Sequence, residues 1–218
     1  MKIKEKKLLL SGIAFIAAFA VWTVLIQTVD MQPVGQKGTD VGFATVNLWF
    51  HSLTGVNMTL YNITDWLGLV PVFVCLVFAM LGFVQLVKRK NLARVDCDIL
   101  LLGLYYILVI AGYLLFEMFP INYRPIPING FMEASYPSST TLLVLSVMPT
   151  LTFQSERRMK NSKMKSLVKF FSISFSLFMV IGRLVSGVHW LTDIVGSVLL
   201  CAGLFLVYKS TVLFVCKE

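Results

Sequence analysis

The stretch GRLVSGVHWLTD, residues 182–193, joins two long apolar segments near the end of the chain. It carries three ionisable side chains, Arg183, His189 and Asp193, in otherwise apolar surroundings. Ionisable groups in or beside a lipid bilayer are costly, so they usually mark a functional site. The function of this stretch therefore depends on where it lies relative to a membrane.

The composition of the chain is that of an integral membrane protein. Of its 218 residues, 57% are hydrophobic and 14% are charged, whereas soluble domains average about 25% charged residues. This length allows one membrane domain, residues 1–218, and no sizeable soluble domain. The four cysteines lack paired spacing and there are only two histidines, so we expect neither a disulfide nor a metal site.

The apolar segments predict six transmembrane helices, because a spanning helix needs about 20 mainly apolar residues. Residues 1–29 also resemble a signal peptide, but their apolar run is too long and no clean cleavage site follows, so we interpret them as a retained helix. The predicted fold is an all-α, polytopic membrane bundle. Its predicted spans are 8–29, 67–87, 99–116, 139–154, 167–187 and 190–208.

The distribution of positive charge predicts the orientation. All of the 19 Lys and Arg residues except Lys37, Arg124 and Arg183 fall on one side of the predicted spans. Basic residues concentrate on the cytoplasmic side, so we expect both termini in the cytoplasm. The net charge of +8 then reflects topology, and we expect no nucleic-acid partner. We interpret residues 30–66 as an outer interfacial segment with one or two helices on the outer leaflet.

Three segments should bring polar groups to the outer face of the membrane. His189 and Asp193 are four residues apart, a spacing that places them on one face of a helix. Asp193 could accept a hydrogen bond from one ring nitrogen and leave the lone pair of the other nitrogen exposed. A histidine held in this way is suited to act as a nucleophile or a base.

The remaining polar groups of this face suit a phosphate. Arg124, in YRPIP, and Arg183 carry planar, permanently charged guanidinium groups. Ser138 and Ser139, in YPSST, should begin a helix whose free backbone N–H groups can bind an anion. Together with His189, these groups indicate phosphoryl transfer through a phosphohistidine.

The order of these motifs resembles that of the type 2 phosphatidic acid phosphatase superfamily, whose motifs are Lys-x6-Arg-Pro, Pro-Ser-Gly-His and Ser-Arg-x5-His-x3-Asp. The resemblance covers residues 117–193. It implies a PAP2-like helical bundle that needs no metal or cofactor. By this resemblance the chain uses His189 as nucleophile, Asp193 to orient it, and Arg124, Arg183, Ser138 and Ser139 to bind phosphate.

The chain departs from these motifs at four positions. Glu117 replaces the first-motif lysine, and Gly182 replaces the third-motif serine. In the second motif, Ser139 replaces glycine and Thr140 replaces the histidine that protonates the leaving group. A threonine hydroxyl is a poor acid, so Glu117 and Glu133 become candidate proton donors if their pKa values are raised. Glu117 could instead be a local partner of Arg124.

The expected activity is hydrolysis of a lipid phosphate or diphosphate at the outer leaflet of the cell membrane. A polyprenyl or other lipid diphosphate is favoured, because a departing phosphate needs less help from an acid than an alkoxide does. Two alternatives stay open: a catalytically impaired homologue that binds anionic lipids, and a lipid phosphotransferase. The expected partners are the lipid substrate and membrane lipids, and the sequence leaves the oligomeric state open.

Overall fold

The computed structural model describes residues 2–216, and most of this range is helical. Two short 3-10 helices lie at Gln36–Gly38 and Leu92–Arg94. Within the described range the extended backbone forms only isolated bridges, such as that between Tyr123 and Ala134. The α-helices are α1 (Ile3–Ile26), α2 (Ala44–Thr54), α3 (Met58–Leu67), α4 (Leu69–Arg89), α5 (Cys97–Met118), α6 (Ser139–Arg158), α7 (Ser162–Val185) and α8 (Leu191–Val215).

Five helical segments are long and apolar enough to cross a membrane: α1, α3 joined to α4, α5, α7 and α8. They overlap five of the six predicted spans, with boundaries that differ by several residues. The remaining one, 139–154, lies within α6, which is 20 residues long but rich in Ser and Thr. The chain is thus an all-α membrane protein, and a crossing by α6 stays a prediction.

Helix α6 is the central helix, because its polar side chains are covered by the other helices. It packs against α4, α5, α7 and α8. The Tyr105 hydroxyl donates to the backbone oxygen of Ser146 at 3.0 Å, and the hydroxyls of Tyr106 and Thr150 lie 2.7 Å apart. Buried hydroxyls need such partners, since an unpaired one loses its bonds to water.

The N-terminal helix α1 lies along α8 at very short range. A Cβ atom on Gly12 would lie 2.8 Å from Val207, and one on Gly203 would lie 2.6 Å from Ile16. Small residues let two membrane helices approach closely, and tight van der Waals packing then holds them together. This contact keeps the start of α8, where the candidate site lies, next to the end of α1.

One end of the bundle, called the basic end below, joins the ends of α4, α5, α6 and α8. Arg89 pairs with Asp96 at 2.8 Å, and Arg158 pairs with Asp98 at 2.6 Å. A disulfide joins Cys97 to Cys216, so the expectation that the chain has none was wrong. The spacing carried no signal, because the two cysteines are 119 residues apart in sequence and meet only through the packing of α5 and α8.

The opposite end of the bundle, called the site end, joins α1, α2, the α5–α6 connection and the start of α8. Trp22 donates to the carbonyl oxygen of Thr192 at 3.2 Å, and Asn47 donates to the Thr192 hydroxyl at 3.1 Å. The hydroxyls of Thr23 and Tyr136 lie 2.7 Å apart. The segment 30–66 does hold two helices, α2 and α3, and their position on the outer leaflet stays a prediction.

Candidate active site

His189 lies in the tight turn between α7 and α8. Gly187 in this turn has φ 68°, and a Cβ atom there would lie 1.8 Å from the carbonyl oxygen of Gly55, so only glycine fits. The Nε2 atom of His51 forms a hydrogen bond with the carbonyl oxygen of Gly187, at 3.1 Å. Helix α8 begins only at Leu191. The prediction that His189 shares a helix face with Asp193 was therefore wrong, because the histidine precedes the helix.

The Nδ1 atom of His189 lies 3.1 Å from the carbonyl oxygen of Ser135. A carbonyl oxygen can only accept, so Nδ1 carries the proton and Nε2 has the free lone pair. Asp193 Oδ2 is 3.6 Å from Nδ1, beyond hydrogen-bond range, and accepts the backbone N–H of Trp190 at 2.9 Å. Nδ1–H thus donates to the carbonyl oxygen of Ser135, a residue that no sequence pattern indicated, and the prediction that Asp193 accepts this hydrogen bond was wrong.

Arg124 faces the free nitrogen of His189, with Nη1 3.3 Å from Nε2. The histidine is 3% exposed. Burial and the guanidinium groups of Arg124 and Arg183 lower the pKa of His189 well below its usual value. The imidazole is therefore neutral at pH 7, which is the form that can attack an electrophile.

Arg124 is held by the irregular connection between α5 and α6. Its Nε atom lies 3.0 Å from Glu133 Oε2, although the geometry does not make this a hydrogen bond. Its backbone N–H donates to the Glu133 carbonyl at 3.1 Å, and its own carbonyl accepts from Gln36 at 2.8 Å. The carboxylate partner of Arg124 is thus Glu133, and the interpretation of Glu117 as that partner was wrong.

Glu117 stands at the end of α5 and shares a small polar cavity with Arg124, Glu133 and Ser139. The cavity has a volume of about 70 Å³. A volume of this size holds water or a small polar group but no lipid tail. The two glutamates that the sequence analysis named thus do lie at one place beside Arg124.

Arg183 is buried at the end of α7 and is bound chiefly by α3. Its Nη2 donates to Asp65 Oδ1 at 3.1 Å and to the Thr140 hydroxyl at 2.6 Å. The ring centroid of Tyr61 lies 4.6 Å from the guanidinium carbon. Tyr61 and Asp65 lie in the segment interpreted as interfacial, and nothing in their spacing indicated contact with a residue about 120 positions away.

The start of α6 lies where the sequence predicts it. Ser138 is the N-cap and Ser139 the first helical residue. The Ser138 hydroxyl donates to Thr141 at 3.1 Å, and the Ser138 N–H points at the Asp193 carbonyl at 3.4 Å. Thr140 accepts a bond from Arg183, as described above. The second and third predicted motifs are thus in direct contact.

An apolar cavity adjoins these polar groups. It has a volume of about 330 Å³ and lies between α4, α5 and α6. Ser139, Thr140 and Asp65 stand at its polar side, and Ile110 and Leu143 are among its apolar lining. A polar site with an adjoining apolar cavity suits an amphipathic molecule.

Comparison with known proteins supports the fold. The solved crystal structure of the first transmembrane PAP2 type phosphatidylglycerolphosphate phosphatase from Bacillus subtilis is similar, with a TM-score of 0.64 and 17% sequence identity. The alignment covers 92% of this chain and 94% of that one. No curated protein sequence matches the chain.

A family profile described as PAP2 superfamily matches residues 101–215. This range is more than half of the chain and contains every residue of the three motifs. The resemblance drawn from the motifs is thereby confirmed, and so is the expected type of fold. The chain belongs to the PAP2 superfamily.

Proposed function

We propose that the protein is a membrane lipid phosphatase that hydrolyses a lipid phosphate or diphosphate, with residues 1–218 as its single domain. The observation that carries the proposal is the position of His189. Its Nδ1 is held by the Ser135 carbonyl, and its Nε2 lone pair faces the guanidinium group of Arg124. A neutral, oriented imidazole next to an arginine suits attack on a phosphate.

The proposed reaction has two steps. The phosphate binds in front of His189. Its oxygens accept hydrogen bonds from the Arg124 guanidinium group, which then no longer contacts Nε2 of the imidazole. Nε2 attacks phosphorus in line, the bond to the leaving oxygen breaks, and a phosphohistidine that keeps its Nδ1 proton forms. Asp193, 3.6 Å from Nδ1, stabilises the positive charge on the ring. Water then attacks phosphorus, the N–P bond breaks, and phosphate leaves.

We assign the stabilisation of the charge on the equatorial oxygens to the N–H donors that surround His189. Arg124 and Arg183 supply guanidinium N–H groups, and the free N–H groups at the start of α6 around Ser139 supply further donors. Thr140 supports this arrangement by accepting a bond from Arg183 at 2.6 Å. We therefore assign Thr140 to the positioning of Arg183, with Glu117 and Glu133 as the candidate proton donors.

The proposed substrate preference follows from Thr140, which replaces the histidine that protonates the leaving group in the family motif. Expelling an alkoxide, whose conjugate acid has a pKa of about 15 by analogy with water, requires a proton. Expelling a phosphate, whose second pKa is about 6, requires much less help. A lipid diphosphate, such as a polyprenyl diphosphate, is therefore the proposed preferred substrate, and the apolar cavity beside Ser139 would receive the start of its tail.

We further propose that the site opens at the outer leaflet of the cell membrane and that both termini are cytoplasmic. The support is the distribution of charge, because the site end carries only three of the basic residues. Hydrolysis and phosphotransfer share the same phosphoenzyme, so the acceptor decides between them. Water is the simplest acceptor in a site that opens at the membrane surface.

The test is phosphate release by the purified protein from lipid diphosphates and matched lipid monophosphates, with His189→Gln as the variant that lacks the nucleophile. We expect release by the wild type only, and a phosphoenzyme that is labile in acid and stable in alkali. Full activity of His189→Gln would exclude the phosphohistidine mechanism.

One observation favours a second candidate, a homologue that binds anionic lipids without turnover. Both arginines already have carboxylate partners, Glu133 at 3.0 Å and Asp65 at 3.1 Å. If these pairs persist, a lipid phosphate would bind at the rim without reaching His189. The same assay separates the two functions, because this candidate requires lipid-phosphate binding with no phosphate release from any substrate.

A further inference from the structure

Another cavity lies far along the bundle from His189, in a cleft between α6, α7 and α8. Its volume is about 380 Å³. Helices α7 and α8 both pack against α6 but make few contacts with each other, so the cleft is open between them. Helices α7 and α8, which form the two sides of the cleft, have the length and hydropathy of membrane spans. Its opening thus faces the space that a lipid would occupy.

Two lysines line the part of the cleft that is nearest to the basic end of the bundle. Lys169 lies about 10 Å from the start of α7 and Lys209 about 9 Å from the end of α8, at 1.5 Å per residue. The Lys209 ammonium is 5.4 Å from the centroid of Phe153 and 5.9 Å from that of Phe205. Neither lysine forms an ion pair within residues 2–216. Lysine side chains near the end of a membrane helix can extend their ammonium groups to the level of lipid headgroups.

A buried hydroxyl without a partner lies next to the lysines. Ser172 is 3% exposed, and its Oγ has no hydrogen-bond partner among the residues that the structure describes. It lines the cleft three residues after Lys169, on the same face of α7, and Ser176 follows four residues later. A buried hydroxyl without a partner is costly. An ester or phosphate oxygen of a bound ligand would supply the missing acceptor.

The charge of the cleft selects the kind of ligand. Lys169 and Lys209 contribute two positive charges and Glu156 at the rim contributes one negative charge, which leaves a net charge of one. This matches a phosphodiester, with its single negative charge, better than a phosphomonoester. The rest of the lining is apolar, with Leu145, Ile173 and Leu177 among it, and suits an acyl chain. Basic pockets between transmembrane helices are known to bind anionic headgroups.

We propose that this cleft binds an anionic glycerophospholipid, a phosphodiester with an uncharged headgroup, from the leaflet at the basic end. Lys169 and Lys209 bind the phosphate, Ser172 donates to a phosphate or ester oxygen, and one acyl chain lies along the apolar lining. Such a lipid would be a structural ligand, because it lies at the end of the bundle away from His189. The site is independent of the proposed phosphatase activity.

The experiment uses the full chain in phosphatidylcholine nanodiscs with a phosphatidylglycerol probe whose acyl chain carries a photoreactive group near the ester. We expect the probe to label peptides within 145–156, 169–177 and 205–209, and unlabelled phosphatidylglycerol to compete. Failure of unlabelled phosphatidylglycerol to compete within the phosphatidylcholine bilayer, or equal competition by inorganic phosphate, would overturn the proposal, because either result would mean that the anionic headgroup and the tail do not act together.

Two matched pairs of variants locate the site. Lys169→Gln with Lys209→Gln should weaken binding roughly 25-fold, since a lysine near the membrane surface contributes about fivefold. Lys160→Gln with Lys163→Gln removes the same charge outside the cleft and should change binding less than twofold. Ser176→Phe fills the cleft and should abolish labelling, whereas Ser174→Phe, on an exposed part of the same helix, should not. Equal effects within either pair would overturn the proposal.

Discussion

The carbonyl oxygen of Ser135 lies 3.1 Å from Nδ1 of His189 and determines which nitrogen of the ring is free. The carboxylate of Asp193 is farther away, at 3.6 Å. The tautomer of the proposed nucleophile is therefore set by the backbone of the α5–α6 connection, and Asp193 is left to stabilise the charge that forms on the ring.

Replacement of Asp193 should lower kcat less than the same replacement does in an enzyme whose aspartate selects the histidine tautomer. In such an enzyme an Asp→Asn change lowers kcat by about 10⁴-fold. We expect Asp193→Asn to lower kcat by about 10–100-fold, because the Ser135 carbonyl still holds Nδ1–H. His189→Gln should lower kcat by more than about 10³-fold. Phosphate release and thermal stability of both purified variants check this. Equal losses in the two variants would contradict the assigned roles.

The pH dependence should follow from the lowered pKa of His189. The acidic limb of kcat/KM is expected below pH about 6.5, the ordinary value for histidine, because the free enzyme keeps a neutral imidazole down to that pH. The folded-state pKa lies below the unfolded one, so this histidine contributes stability above pH about 6.5 that is lost as the pH falls. Thermal unfolding of wild type and His189→Gln between pH 8 and pH 5 measures this contribution. A steeper loss in His189→Gln would contradict it.

Asp65, the carboxylate partner of Arg183, should compete with the substrate phosphate for the guanidinium group. Asp65 has a side chain that is 56% exposed, whereas the side chain of Arg183 is only 1% exposed, so Asp65 stands between solvent and the buried guanidinium group. We expect Asp65→Asn to lower KM several-fold, since it removes a negative charge next to the phosphate while Thr140 and Tyr61 still hold Arg183. Asp40→Asn, an exposed aspartate at the same end, is the control. A rise in KM for Asp65→Asn alone would show that Asp65 positions Arg183.

The absence of a histidine at position 140 should change the relative turnover of monophosphate and diphosphate substrates. We expect Thr140→His to raise turnover of lipid monophosphates more than that of diphosphates, by up to about 10²-fold, because only the alkoxide requires a proton. Thr140→Ser keeps the hydroxyl that accepts from Arg183 and serves as the control for packing. A wild type that prefers monophosphates, and that retains this preference in Glu117→Gln and Glu133→Gln, would contradict the proposed effect of Thr140.

The proposed orientation can be checked by cysteine labelling in a background without Cys75 and Cys201. Phe131 is 73% exposed in the α5–α6 connection, and Lys160 is exposed between α6 and α7. An impermeant thiol reagent on intact cells should label Phe131→Cys but not Lys160→Cys, which should react only after lysis. The reverse pattern would place the site on the cytoplasmic side.

The sequence by itself determined the fold class, the membrane setting and the residues of the three motifs. Long apolar runs, the one-sided distribution of basic residues and the spacing Arg-x5-His-x3-Asp are local patterns, so they can be read without the tertiary structure. The helix start at Ser139 was also predictable, because Pro137 and Ser138 favour an N-terminus.

The partners of those residues were decided only by the tertiary structure. Ser135 contributes a backbone carbonyl, which every residue has, so no side-chain pattern could identify it. Asp65 pairs with Arg183 because α3 packs against α7, and Glu133 pairs with Arg124 because the α5–α6 connection folds back on itself. Cys97 and Cys216 meet because α5 and α8 have ends at the same level of the bundle. The sequence thus specified which groups are available, and the packing of helices distant in sequence determined which of them touch.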